Sequence, residues 1–199
     1  LYLNALDWAV NEKVPTQPRL IRYADDFVIL CRPGQGGALR ERLGRWVEAS
    51  GLKLNEEKTR LVDSRQEAFQ FLGFTVRWQK SWRSGRAYVH VEPSAKSRKK
   101  FHEQVRAQLN HWTLGRRVAD AMTELNRYLR GWSQYFHYAH GARVIGKLQW
   151  WTRDRLRRWL WRKHQQTKAL WSDYPDELLH GRYGLWRMPT HPAWKPKRA

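Results

Sequence analysis

Acidic residues are in short supply in this chain: 18 Asp and Glu stand against 38 Lys and Arg over 199 residues, a formal net charge of +20 at pH 7. A balance so lopsided repels itself unless a polyanion lies against it, which favours partners such as nucleic acid over cationic ligands. Cysteine is nearly missing too. With Cys31 alone there is no internal disulfide and no Cys-rich zinc site, and a reducing, cytoplasmic location is expected. No stretch approaches 18 uninterrupted apolar residues, so neither a membrane span nor a membrane partner is expected, and no signal peptide is visible at the start. Pro33-Gly34-Gln35-Gly36-Gly37 lacks the Lys-Ser/Thr of a phosphate-binding P-loop and reads as a turn. The chain opens on Leu1, not Met, within an amphipathic pattern (Leu3, Leu6, Val10) that no capping residue precedes, so an amino-terminal truncation is expected.

What is present is unevenly spread. Hydrophobic residues make up 41% of the chain, enough for a packed core. Residues 1–93 carry 15 Lys/Arg against 11 Asp/Glu, and residues 94–199 carry 23 against 7, with nine of the thirteen Trp. A basic, aromatic-rich half is the footprint of polyanion binding: Lys and Arg displace counterions from phosphates, and Trp, Tyr and Arg planes stack on unpaired bases.

The first half centres on Tyr23-Ala24-Asp25-Asp26. Arg19 to Tyr23 precedes it, Phe27-Val28-Ile29-Leu30 follows, and Arg32-Pro33-Gly34 closes the segment, which reads as strand, tight turn, strand. Asp is an ordinary turn residue, and that reading competes with a functional one. Two adjacent carboxylates raise each other's pKa unless a cation stands between them, and Mg²⁺ takes one or two protein carboxylates with water and phosphate completing its shell. Ala38 to Ser50 then reads as a helix (Leu39, Leu43, Trp46, Val47) with Gly51 at a left-handed C-cap. Leu52 to Val62 alternates, turns at Asn55 and resumes an apolar strand at Leu61. Phe69 to Val76 reads as a strand with an internal Gly, and Ala87 to Val91 as its partner across the Ser84-Gly85 turn.

From Pro93 the pattern becomes helical. Ser97 reads as an N-cap before a stripe of Phe101, Val105, Leu109 and Trp112, and Val118, Met122, Leu125 and Leu129 mark a second helix. Gly131-Trp132-Ser133-Gln134-Tyr135-Phe136 follows, with Trp132, Tyr135 and Phe136 on one face as core. The longest helix runs from about Ala142 to Gln165, half buried and half basic. After Pro175 the chain reads as irregular, ending in a basic tail.

In this order the pieces resemble the carboxyl-terminal half of a group II intron reverse transcriptase/maturase, to about residue 165. The resemblance implies an α+β fold: the end of a polymerase palm over 1–93, an all-α thumb and maturase-specific region over 94–170, and an irregular tail over 171–199. It implies RNA-directed DNA synthesis and RNA splicing, with Asp25 and Asp26 as catalytic and metal residues on a two-Mg²⁺ site of which only part is in this chain. Tyr23 and Ala24 fall beside the nucleotide. Lys58 falls near its triphosphate, though a Glu-Lys surface turn is an equal reading, and Phe71, Leu72, Gly73 and Phe74 fall on the primer grip. Lys96, Arg98, Lys99, Lys100, Arg106, Arg153, Arg157, Arg158, Arg162 and Lys163 are the expected RNA-binding set. Implied partners are the group II intron RNA, an RNA template with DNA primer, dNTPs, the DNA target of insertion and a second copy in a homodimer. The remaining metal-binding Asp of the family has no counterpart here, Asp7 being a poor substitute on a helix, so this chain alone is expected to be inactive in DNA synthesis. Alternatives are a free-standing maturase without polymerase chemistry, or a retron or diversity-generating reverse transcriptase; the Gly131 to Phe136 cluster with its basic helix argues against the latter two.

Overall fold

A computed structural model describes residues 3–11, 18–138, 140–165 and 170–190. The fold is α+β, with short antiparallel sheets and a larger helical part. The described residues within 1–72 and 76–89 form one compact unit, and those within 73–75 and 90–199 form another.

In the first unit α1 (Asn4–Asn11) leads to the hairpin β1 (Arg19–Tyr23) and β2 (Asp26–Leu30), whose register pairs Leu20 with Ile29 and Tyr23 with Asp26. Leu20 points inward, and its backbone is held at both ends by Asn11, whose amide donates to Leu20 O at 3.2 Å while its Oδ1 accepts from Leu20 N at 2.9 Å. Helix α2 (Gly36–Ala49) lays Leu43 and Val47 on Leu6 and Leu20 to make the small core of this unit. It ends where expected, at Gly51 with φ +70.

Residues 52–68 form no strand, contrary to the expected strand at Leu61. Two polar side chains satisfy local backbone donors instead: Asn55 Oδ1 accepts from Lys58 N at 3.1 Å, and Asp63 Oδ1 from Arg65 N at 3.0 Å. Leu61 packs its methyl against Gly36, where a Cβ would collide with it. A three-stranded sheet follows in the order β3 (Phe69–Phe71), β4 (Phe74–Lys80), β5 (Ala87–Pro93). The expected single strand over 69–76 is thus broken by a two-residue turn at Leu72 (φ 49) and Gly73 (φ 79).

The second unit is built on α3 (Ala95–Gln108), α4 (Val118–Phe136) and α5 (Ala142–Lys163). Its core joins Phe101 and Val105 of α3, Leu125 and Leu129 of α4, and Ile145, Leu148, Leu156 and Leu160 of α5. The N-cap of α3 is Ser94, whose side chain accepts from Ser97 N, three residues ahead of the expected cap. After the short helix α6 (Leu170–Asp173), the stretch expected to be irregular instead forms a helix, α7 (Asp176–His180), and is packed: Leu179 of α7 and, beyond it, Leu185 and Met188 are buried in this same core. Residues 191–199 of the expected basic tail lie outside the described residues.

Candidate functional site

The two carboxylates stand at the tip of the β1-β2 hairpin. With Tyr23 opposite Asp26, the turn is the dipeptide Ala24-Asp25, and Ala24 takes φ 54, a left-handed conformation that costs a non-glycine residue about 1–2 kcal/mol. Arg22 holds it there: its Nη1 donates to Ala24 O at 2.9 Å, while its Nε donates to Asp7 Oδ1 at 2.9 Å and its Nη2 to Asp7 Oδ2. The guanidinium thus ties the turn to helix α1. The hydrogen bond from Arg22 keeps the Asp7 carboxyl below its ordinary value, and the same bond raises Arg22. Tyr23, Ala24, Asp25 and Asp26 are all exposed. Strand β3 approaches β2 without joining its sheet. Lys58 is exposed on the turn that Asn55 caps.

Among the described residues no three His, Cys, Asp or Glu side chains gather around one point. Asp7, the carboxylate of helix α1, is committed to Arg22. The residues present therefore do not by themselves make a complete metal site, although two adjacent exposed carboxylates on a fixed turn suit part of one.

Around the turn at Leu72 and Gly73, the segment 73–75 is clasped by helices of the second unit. Gly73 O accepts from Ser94 N at 2.8 Å and from Ser97 Oγ at 2.8 Å. Phe74 stacks on Tyr135 with ring centres 5.5 Å apart and meets Phe136 at 4.9 Å. Of the expected aromatic core, Phe136 is buried and Trp132 partly so, but Tyr135 remains 51% exposed.

The basic residues separate into two kinds. On α3, Lys96, Lys99, Lys100 and Arg106 are exposed, Lys96 one turn before Lys99 and Lys100 and Arg106 two turns beyond Lys99; Arg98 is half-buried beside them, and among the described residues only Lys99 of these pairs with an acid, Glu103 at 4.0 Å. On α5, Arg158 and Arg162 are exposed, Arg158 paired with Asp154 at 2.9 Å. The others are occupied inside the unit. Arg157, expected at an RNA surface, is 2% exposed: its Nε donates to Tyr174 O at 2.7 Å, its Nη2 pairs with Asp176, and its guanidinium lies over Trp171 at 4.1 Å. A buried guanidinium with these partners cannot reach a phosphate without unfolding its surroundings, and it drops out of the surface set. Arg153 also pairs with Asp176. Lys163 Nζ donates to Leu114 O and Arg116 O, both at 2.7 Å, closing the turn after α3.

The residues missed by sequence reasoning are Arg22 with Asp7, and Ser94 with Ser97. The only available signal for the first was an Arg directly before the Tyr-Ala-Asp-Asp box, and for the second a Ser-x-x-Ser following Pro93.

Residues 1–76 match the family described as reverse transcriptase (RNA-dependent DNA polymerase), and residues 98–174 match the group II intron maturase-specific domain. No curated protein matches the chain.

Proposed function

Because this chain belongs to the group II intron reverse transcriptase/maturase family, we propose that its helical unit binds the intron RNA and that Asp25 and Asp26 are its share of a polymerase centre. Reverse transcriptases as a family use Mg²⁺, and the adjacent carboxylates of Asp25 on the turn and Asp26 at the start of β2 are the groups assigned to it here. Arg22 positions them by fixing the Ala24 carbonyl. Phe71 and the Leu72-Gly73 turn, followed by Phe74, are assigned to the primer's end, and Lys58 to the phosphates of the incoming nucleotide. Lys96, Lys99, Lys100 and Arg106 on α3 and Arg158 and Arg162 on α5 are assigned to RNA phosphate.

The observation that carries this reading is the exposed row of cations on α3 in a chain of net charge +20. It is tested by equilibrium binding of group II intron RNA to this chain over a salt series. Contacts to six to eight phosphates give a log-log slope of about −4 to −6 on single-stranded segments. A flat salt response would remove the RNA-binding assignment.

Two carboxylates on one turn supply only part of a polymerase site, so the chain by itself is expected to act as an RNA-binding maturase and to leave a primer unextended. Asp25→Ala then leaves RNA binding unchanged. Mg²⁺-dependent cDNA synthesis by the 199 residues alone would contradict this.

A further inference from the structure

Between α3 and α5 runs an open groove of about 580 Å³, lined by His102, Arg143, Gly146, Lys147, Trp150 and Trp151, a size usual for small-ligand clefts. We infer that this groove seats an unpaired RNA base on Trp150, with Arg143 and Lys147 on the flanking phosphates. The inference rests on the RNA-binding reading above and adds a site whose phosphate-binding cations are not among those assigned there.

Arg143, Lys147 and Trp150 follow one another at four- and three-residue spacing and so share one face of α5. Both cations are exposed, neither takes part in an ion pair among the described residues, and no acidic side chain lines the groove. At Gly146 nothing lies within 4 Å of where a Cβ would stand, which leaves the helix backbone open beneath them.

The aromatic groups are arranged as a platform. Trp150 is 53% exposed and lies near-parallel to Trp171, itself 49% exposed, with an angle of 28° and ring centres 6.4 Å apart. Trp151 forms the fixed wall: His102 meets it edge-on at 4.2 Å and the Arg106 guanidinium stands over it at 5.6 Å. Burial, with the charges of Arg106 and Arg98, holds His102 below the usual histidine value, so the wall carries no further charge at neutral pH.

Two cations with an exposed indole between turns of one helix match the two parts of a single-stranded nucleotide, its phosphate and the face of its base. A duplex hides that face in its own stack, and a simple anion would have no use for the indoles.

The test is fluorescence anisotropy with the whole chain and a labelled, unstructured RNA oligonucleotide, compared with the same sequence annealed to its complement. Loss of one base stack weakens binding by roughly 5- to 150-fold, so Trp150→Ala is expected to weaken single-strand binding by that factor and duplex binding by less than about 2-fold. Trp150→Phe is expected to recover most of the loss. Arg143→Ala with Lys147→Ala is expected to flatten the single-strand salt slope by about 1.4, at about 0.7 for each lost phosphate contact. Single-strand affinity unchanged in Trp150→Ala, or strands and duplexes weakened alike, overturns the inference while leaving RNA binding in place. An unchanged salt slope in the doubly substituted chain, which retains every aromatic side chain, also overturns it. Failure of the unsubstituted chain to bind either RNA would remove both readings together.

Discussion

Ser97 Oγ and the carbonyl oxygen of Gly73 are joined by a 2.8 Å hydrogen bond across 24 residues of sequence. Gly73 holds φ 79, and a Cβ there would stand 3.0 Å from Ser97 Oγ and 3.4 Å from Phe136 Cζ. Gly73→Ala therefore combines a left-handed penalty of about 1–2 kcal/mol with a crowded contact. Ser97→Ala forfeits one hydrogen bond, about 0.5–1.5 kcal/mol. Urea unfolding is expected to rank the alanine at 73 as the more damaging, and equal midpoints for wild type and Gly73→Ala would show that the clasp does not form.

Arg157 and Arg158 are neighbours with opposite expected behaviour. Arg157→Ala removes the partner of Tyr174 O and one of two partners of Asp176. Breaking a buried pair costs about 3–5 kcal/mol, and the lower end applies because Asp176 retains Arg153. Arg158→Ala loses an exposed pair worth under about 1 kcal/mol. Both substitutions can weaken RNA binding, but circular-dichroism melts are expected to show that only the change at 157 does so by loosening the fold.

The Asp7–Arg22 pair gives acid sensitivity to the hairpin. The carboxyl is held below its ordinary 3.8, chiefly by the hydrogen bond from Arg22. A depressed carboxylate contributes stability that is whole above its unfolded value and is lost as pH falls through the folded one. Wild type is thus expected to lose this contribution only below about pH 4, and Asp7→Asn to lack it at every pH. NMR titration of the Asp7 carboxyl checks the sign: a midpoint at or above 3.8 would refute it.

Tyr128 lies against Phe101 with ring centres 5.7 Å apart, and burial pushes its phenol up to about 12. The folded chain keeps this proton while an unfolded one releases it near 10, so stability falls as pH rises above 10. In an absorbance titration of the eight tyrosines, the last to ionise is expected to disappear in Tyr128→Phe. Retention of that late step would assign it elsewhere.

The hairpin was legible because its signals are local: β-formers on both sides, turn residues between, Pro-Gly after. Helices α2, α4 and α5 were legible through their apolar spacing. What stayed hidden depends on partners distant in sequence. Arg157 counts as surface by residue type, and its burial depends on Trp171, Tyr174 and Asp176, fourteen to nineteen residues on. Leu61 has the composition of a strand, yet Asn55 and Asp63 bind the backbone on either side of it. Ser94 and Ser97 are three residues apart and equally good caps; Gly73 O, which engages both, decides between them. The Tyr-Ala-Asp-Asp box was readable as a pair of carboxylates, but the Arg22 anchor that strains Ala24 into place was not.

The clasp on Gly73 and Phe74 also determines how the chain can be cut. Residues 73–75 belong to the helical unit, while those before them and those from 76 to 89 belong to the other, so the polypeptide changes allegiance three times. No single cleavage point sorts the two bodies into separate polypeptides. A fragment begun at Ser94 would leave the ring of Phe136 uncovered by Phe74 and the Ser97 hydroxyl without its acceptor, and a fragment ended there would carry a turn with nothing to close on. Each unit is therefore assembled from two separate stretches of the chain, and neither is one continuous run of sequence.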